Sequence, residues 1–152
     1  MAIYQIVKSD DEVLRQQAKE IEEVTPQICK LLDNLRDTLY ATSYGVGLAA
    51  PQIGISKRAI VVDIDNELFE LINPVVIEQE GLAVDTEGCL SVPGIVGEVI
   101  RAQKVSVKAL NREGEKIVIV AEGLLARAFQ HEIDHLDGIL FIDKAEDIRQ
   151  ME

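Results

Sequence analysis

Both histidines of the chain, His131 and His135, fall within the five-residue stretch His131-Glu132-Ile133-Asp134-His135. On a helix, residues i and i+4 share a face, so two imidazoles at this spacing can turn toward one metal ion. At about 100° per residue, Glu132 sits only about 60° around the axis from His135. Its carboxylate is then in reach of a water activated by that ion and can take its proton as a general base. A solvated or packed pair would need every histidine of the chain at this spacing by accident, with glutamate second. The stretch reads as the metal-binding helix of a hydrolase.

Two histidines do not complete such a site, which usually has three protein ligands and one open position. The extended pattern H-E-x-x-H-x-x-G-x-x-H finds its glycine at Gly138, but Phe141 takes the last position and excludes that arrangement. Downstream of the helix only Glu146 and Glu152 remain as glutamates, near the end of the sequence. The third ligand is therefore sought upstream, and Cys89 in Glu87-Gly88-Cys89-Leu90-Ser91 is the candidate. Gly88 is expected to relieve crowding beside the thiolate, and Pro93 to stiffen the exit. The other cysteine, Cys29, lies near an apolar stripe and reads as a core thiol. The turn Gly45-Val46-Gly47-Leu48-Ala49-Ala50-Pro51-Gln52 is a weaker signal. It lacks the third glycine of a dinucleotide fingerprint, no strand precedes it and no helix clearly follows. Taken alone it reads as a tight packing turn, although Gln52 offers an amide donor suited to an oxyanion.

Helices and strands must position these groups. Asp10 or Asp11 can cap a short helix to about Ala18, and Thr25-Pro26 is a hydroxyl cap followed by proline at the first helical position. Ile28, Leu31, Leu32, Leu35 and Leu39 then recur at helical spacing, which predicts a helix to about Tyr40. Short Val- and Ile-rich runs follow at 58–64, 69–72, 75–80, 96–101, 105–110 and 117–121. Asn66, Gly81, Gly94, Gly97 and the Asn111–Gly114 stretch stand as turn residues between them. These spacings leave no room for crossover helices, so antiparallel pairing is expected. Helical spacing returns from Glu122 to Leu136, with Gly138 as a terminating glycine. The tail from Phe141 to Glu152 is expected to form a short acidic helix or to fray. The order predicts an α+β fold: mainly antiparallel strands packed around a central C-terminal helix carrying the HExxH motif, with an N-terminal helix.

The 152 residues suit one domain, 1–152, and no repeat or linker divides them. Apolar residues make up 47% and charged residues 28%, which are globular values. A formal charge of −12 disfavours phosphate backbones and anionic membranes, so neither nucleic acid nor membrane is expected as a partner. No apolar run approaches the roughly 20 residues of a membrane span, and the start of the chain lacks the pattern of a signal peptide. A cytoplasmic location is the expectation, with both cysteines kept as thiols.

Three segments in this order, GVGLAAPQ, EGCLS and QHEIDHLDG, resemble the three signature motifs of peptide deformylases. The likeness extends from the DEVLR segment near the start to about Phe141. It implies hydrolytic removal of the formyl group from the N-terminal formyl-methionine of newly made proteins. Cys89, His131 and His135 are then the metal ligands and Glu132 the general acid/base, with hydroxide on the metal as nucleophile. Gln52 and the backbone N–H of Leu90 hold the oxyanion. Val46, Gly47, Leu124, Ala128 and the stem of Glu87 line a pocket for the methionine side chain. The implied cofactor is one divalent ion, Fe(II) first, with zinc, nickel or cobalt able to occupy the same ligands. The implied partners are the N-formyl-methionyl ends of nascent chains.

Against that pattern, Gly94-Ile95-Val96-Gly97 offers no charge where many bacterial members carry an arginine. Arg127 stands where many have an apolar residue, and is expected at the pocket rim. The acidic tail from Lys144 to Glu152 is shorter than the C-terminal helix some relatives use near the ribosome, and leaves ribosome contact open. A small metallopeptidase, disfavoured by the missing third zincin ligand, and a catalytically altered metal-binding relative remain as alternatives.

Overall fold

Thr25 and Pro26 begin the first helix as their chemistry requires: the Thr25 hydroxyl accepts from the Ile28 N–H, and proline fills the first turn, where no amide partner is needed. In the computed structural model, which describes residues 3–43 and 45–150, this helix, α1, spans Pro26–Tyr40. The second helix, α2, spans Gly123–Leu136 and carries the histidine motif. It stops at Gly138, whose φ of +76° favours glycine. A Cβ there would also lie 2.6 Å from the Arg15 carbonyl oxygen, so no larger residue fits.

Eight strands are present among the described residues: β1 (Gly47–Ala49), β2 (Ala59–Ile64), β3 (Glu67–Glu80), β4 (Ala83–Cys89), β5 (Val92–Arg101), β6 (Lys104–Leu110), β7 (Lys116–Glu122) and β8 (Glu146–Gln150). They form a five-stranded sheet, β1-β2-β3-β6-β7, and a three-stranded sheet, β4-β5-β8, in which every strand pair is antiparallel. Strand β2 lies between the helices. Val61 joins Leu31, Leu32 and Leu35 of α1 in one apolar cluster, while Ile60 and Val62 join Phe129, Ile133 and Leu136 of α2 in another. Side chains alternate across a strand, so a strand covered on both faces must be apolar throughout. That is why 59–62 is an unbroken run of small and branched apolar residues. A third cluster joins Val92 and Val99 of the smaller sheet to Leu14, Leu140 and Phe141.

Several elements depart from expectation. The first short helix is a single 3-10 turn, Glu12–Arg15, capped by Asp11. The two runs 69–72 and 75–80 are one strand, β3, with a bulge where Asn73 takes a φ of +52° and bonds both the N–H and C=O of Ile21. Gly94 and Gly97 lie inside β5 and do not separate strands. The turn after Val46 carries strand β1 and a 3-10 turn, Ala50–Ile53. The tail from Phe141 forms neither an α-helix nor a frayed end but a 3-10 turn followed by β8. It does so because β5 has an open edge, where Gln150 pairs with Ile95 and Arg149 with Val96. The last two residues lie outside the described residues.

Candidate metal centre

Cys89 ends β4, and α2 brings His131 and His135 to it. One ligand atom from each of the three lies within 4.8 Å of the others. The Sγ of Cys89 is 3.4 Å from His135 Nε2 and accepts from the Ser91 N–H, also at 3.4 Å. The Gln52 amide nitrogen approaches the same sulfur at 3.7 Å and donates to Ser91 Oγ at 3.1 Å, while its oxygen accepts from the Ala49 N–H. One soft sulfur and two imidazoles converging on one point form a donor set for a transition-metal ion.

The nitrogen that each imidazole presents is set by what holds the other. His131 Nδ1 is 2.9 Å from Glu87 Oε1, which leaves Nε2 for the cluster. Burial works against the charge on Glu87, but hydrogen bonds from His131 and Arg101 prevail and hold its carboxyl well below the usual range. Burial likewise works against a charge on His131, yet hydrogen bonds with Cys89 and Glu87 push it up to about 10. The Glu87 contact occupies Nδ1, so Nε2 is the nitrogen that His131 could offer to an ion. Burial, reinforced by the charge on His131, presses His135 well below its ordinary value, so its ring is neutral. Its Nδ1 is buried with no hydrogen-bond partner among the described residues.

Arg101 is the residue that sequence reasoning missed. It closes β5, is 4% exposed, and forks onto Glu87 through Nε (2.6 Å) and one terminal nitrogen (2.9 Å). Its third nitrogen reaches Asp134 at 2.9 Å, on the same helix as the histidines. An arginine ending a Val-rich run looks like a solvated strand end. Only the hairpin register, which pairs Ala83 with Arg101 and Glu87 with Gly97, brings the two onto one face.

Glu132 is buried beside the cluster, and burial pushes its carboxyl up to about 7. Its Oε1 has no hydrogen-bond partner among the described residues. Gly47 lies against it: a Cβ at that position would sit 2.7 Å from Glu132 Oε2. The glycine-rich turn is therefore a close approach of β1 to the acid.

A pocket of about 320 Å³ opens onto the cluster, lined by Val46, Gly47, Gln52, Glu87, Cys89, Leu90, Leu124, Ala128, His131 and Glu132 among others. His135 lies behind it, fully buried. The structure thus brings together every residue singled out for the site. Arg127 is different from what the sequence suggested. It lines the pocket, but its guanidinium is buried and turned inward to Glu87 and to the carbonyls of Ala83 and Val99, so it is no rim charge. Gly88 is not demanded by crowding either, since a Cβ there would meet Val96 at an ordinary 3.5 Å. Phe141 stacks on His131 with ring centroids 6.2 Å apart, packing against the cluster that it does not join. Cys29 is half-buried and bonds the Arg112 carbonyl, away from this site.

A sequence model of the polypeptide deformylase family matches residues 3–151. The chain belongs to that family. The peptide deformylase of Carboxydothermus hydrogenoformans is 66% identical over 148 residues, 97% of each chain. That of Desulfitobacterium hafniense is 63% identical over 145 residues, 95% of this chain and 96% of the relative. The crystal structure of peptide deformylase from Thermotoga maritima superposes with a TM-score of 0.92 at 41% identity, covering 96% of this chain and 99% of that one. Deformylases are metal-dependent amide hydrolases that remove the N-formyl group of new chains, so this chain is a hydrolase of that kind. Among the described residues, no helix is long and apolar enough to cross a membrane.

Proposed function

We propose that deformylation is carried in this chain by Cys89, His131 and His135 as metal ligands, Glu132 as general acid/base, and Gln52 with the Leu90 N–H as oxyanion donors. The observation that carries this reading is Glu132. It is a buried carboxyl with a free oxygen and a pKa near neutral, packed against the Cys–His–His cluster at the wall of the pocket that opens onto it. A group that must accept and then return a proton works best when its pKa lies near the working pH.

A divalent ion in this ligand set supplies Lewis acidity, which makes water acidic near neutral pH and polarises a carbonyl. Fe(II) is the ion we propose for the cell, and the same donors accept zinc, nickel or cobalt. Glu132 takes a proton from the attacking water and delivers it to the amine nitrogen as the formyl C–N bond breaks, leaving formate and a free N-terminus. Gln52 Nε2 and the Leu90 N–H donate to the oxygen of the tetrahedral intermediate. One such donor lowers the barrier by about 3 kcal/mol. Gln52 is well held for this, because its own oxygen is fixed by the Ala49 N–H at 3.0 Å. Val46, Gly47, Leu124, Ala128 and the Glu87 stem form the wall that receives methionine. The substrate is the N-formyl-methionyl end of a nascent chain.

Anaerobic purification, metal analysis and formate release from a formyl-methionyl dipeptide test the assignment, with Glu132→Ala alongside. The variant is expected to retain its metal and to lose turnover by about 10²–10⁴-fold. Equal turnover in variant and wild type would remove Glu132 from the chemistry.

A further inference from the structure

Both oxygens of Glu87 are saturated by donors: Arg101 takes one position on each carboxylate oxygen, His131 takes the second on Oε1, and Arg127 takes the second on Oε2. The two guanidiniums are not equivalent. Arg101 shares its charge with Asp134, which also pairs with Lys144 at 2.9 Å. Arg127 has Glu87 as its one acidic partner among the described residues, and its other bonds go to the neutral carbonyls of Val99 and Ala83. It is 7% exposed, one helical turn before His131. A buried guanidinium with a single counter-charge is expensive to bring out of water, so Arg127 and Glu87 constrain each other strongly.

We infer that Arg127 is a positioning residue for the metal centre. By occupying Glu87 Oε2 it keeps Oε1 aimed at His131 Nδ1, and so fixes the ring that presents Nε2 to the ion. Without it, Glu87 Oε2 keeps only the Arg101 Nε–H, and the carboxylate, held by Arg101 and His131 alone, can rotate toward the pocket, which it lines. The inference rests on the reading of Cys89, His131 and His135 as the metal ligands. Partners beyond the ligands typically change metal affinity 10–100-fold.

A double-substitution cycle on zinc-loaded protein tests it, reading the rate at which zinc passes to a chromogenic chelator. Arg127→Met keeps the apolar stem and removes every donor, and is expected to speed zinc loss about 10-fold. On a Glu87→Gln background the same change is expected to add less than twofold, because its route runs through Glu87. Arg127→Lys, which keeps the charge and one donor, is expected to fall between and replaces the methionine variant if that does not fold. Zinc retention equal to wild type overturns the inference, as does an equal loss on both backgrounds, which would mean that Arg127 only ties β4 and β5 to α2. If the wild type itself binds no zinc, the ligand assignment fails and the inference with it. If it binds one ion that Arg127→Met holds equally well, the inference alone fails.

Discussion

Helices α1 and α2 are 15 and 14 residues long and pack on opposite faces of β2, yet they bury different chemistry. The buried face of α1 is Ile28, Leu31, Leu32, Leu35 and Leu39, with Asn34 and Thr38 as its polar members. The buried face of α2 includes Arg127, Glu132 and His135 beside Ala126, Ala128, Phe129, Ile133 and Leu136. Length and apolar spacing do not separate them. What separates them is that α1 is stabilised by area removed from water, which any well-shaped apolar surface supplies. The charges of α2 need partners of fixed direction, and these come from Glu87 on β4 and Arg101 on β5. A packing helix is thus interchangeable in chemistry, whereas α2 is tied residue by residue to the strands facing it.

Truncation on the packing helix is the strongest way to break this distinction. Leu35→Ala is expected to cost about 2–5 kcal/mol in denaturant unfolding, with formate release per folded molecule unchanged within twofold. A large fall in turnover per folded molecule would show α1 shaping the site.

On α2 the expected signature is a dependence on pH. The raised Glu132 carboxyl binds its proton more tightly folded than unfolded. Its contribution is therefore full below the ordinary value of 4.5 and is lost as pH rises to about 7. In chelator-stripped protein, Glu132→Gln should match wild type in stability below pH 4.5 and exceed it above pH 7, by at most about 3 kcal/mol. A constant offset between the two thermal unfolding profiles would contradict this. The smallest effect belongs to the start of α1, where Thr25→Ala is expected to cost ~1 kcal/mol through the lost cap and to leave the metal content untouched.

Much of the fold was legible where one rule governs a segment. Thr25-Pro26 and the leucine spacing placed α1, and Gly138 marked the end of α2. The strands that carry or frame the site were harder. β4, AVDTEGC, has no apolar alternation because it lies at an edge and its polar side chains serve the cluster: Glu87 faces inward while Thr86 bonds Glu98 outside. β8, EDIRQ, is exposed throughout and exists only because β5 offers an open edge.

For the site, residue type and local spacing determined the chemistry. Two imidazoles and an acid one helical turn apart, a cysteine and a glutamine amide can be read as ligands, base and donor, since helix geometry alone puts His131, Glu132 and His135 on neighbouring faces. Tertiary structure decided how that chemistry is aimed. Arg127 reads as a rim charge in sequence and Arg101 as a strand end. The register of the β4–β5 hairpin and its docking on α2 make both of them clamps on Glu87, 14 and 40 residues away along the chain. Such partners share no local pattern, because a buried charge is satisfied by whatever the fold brings within about 3 Å.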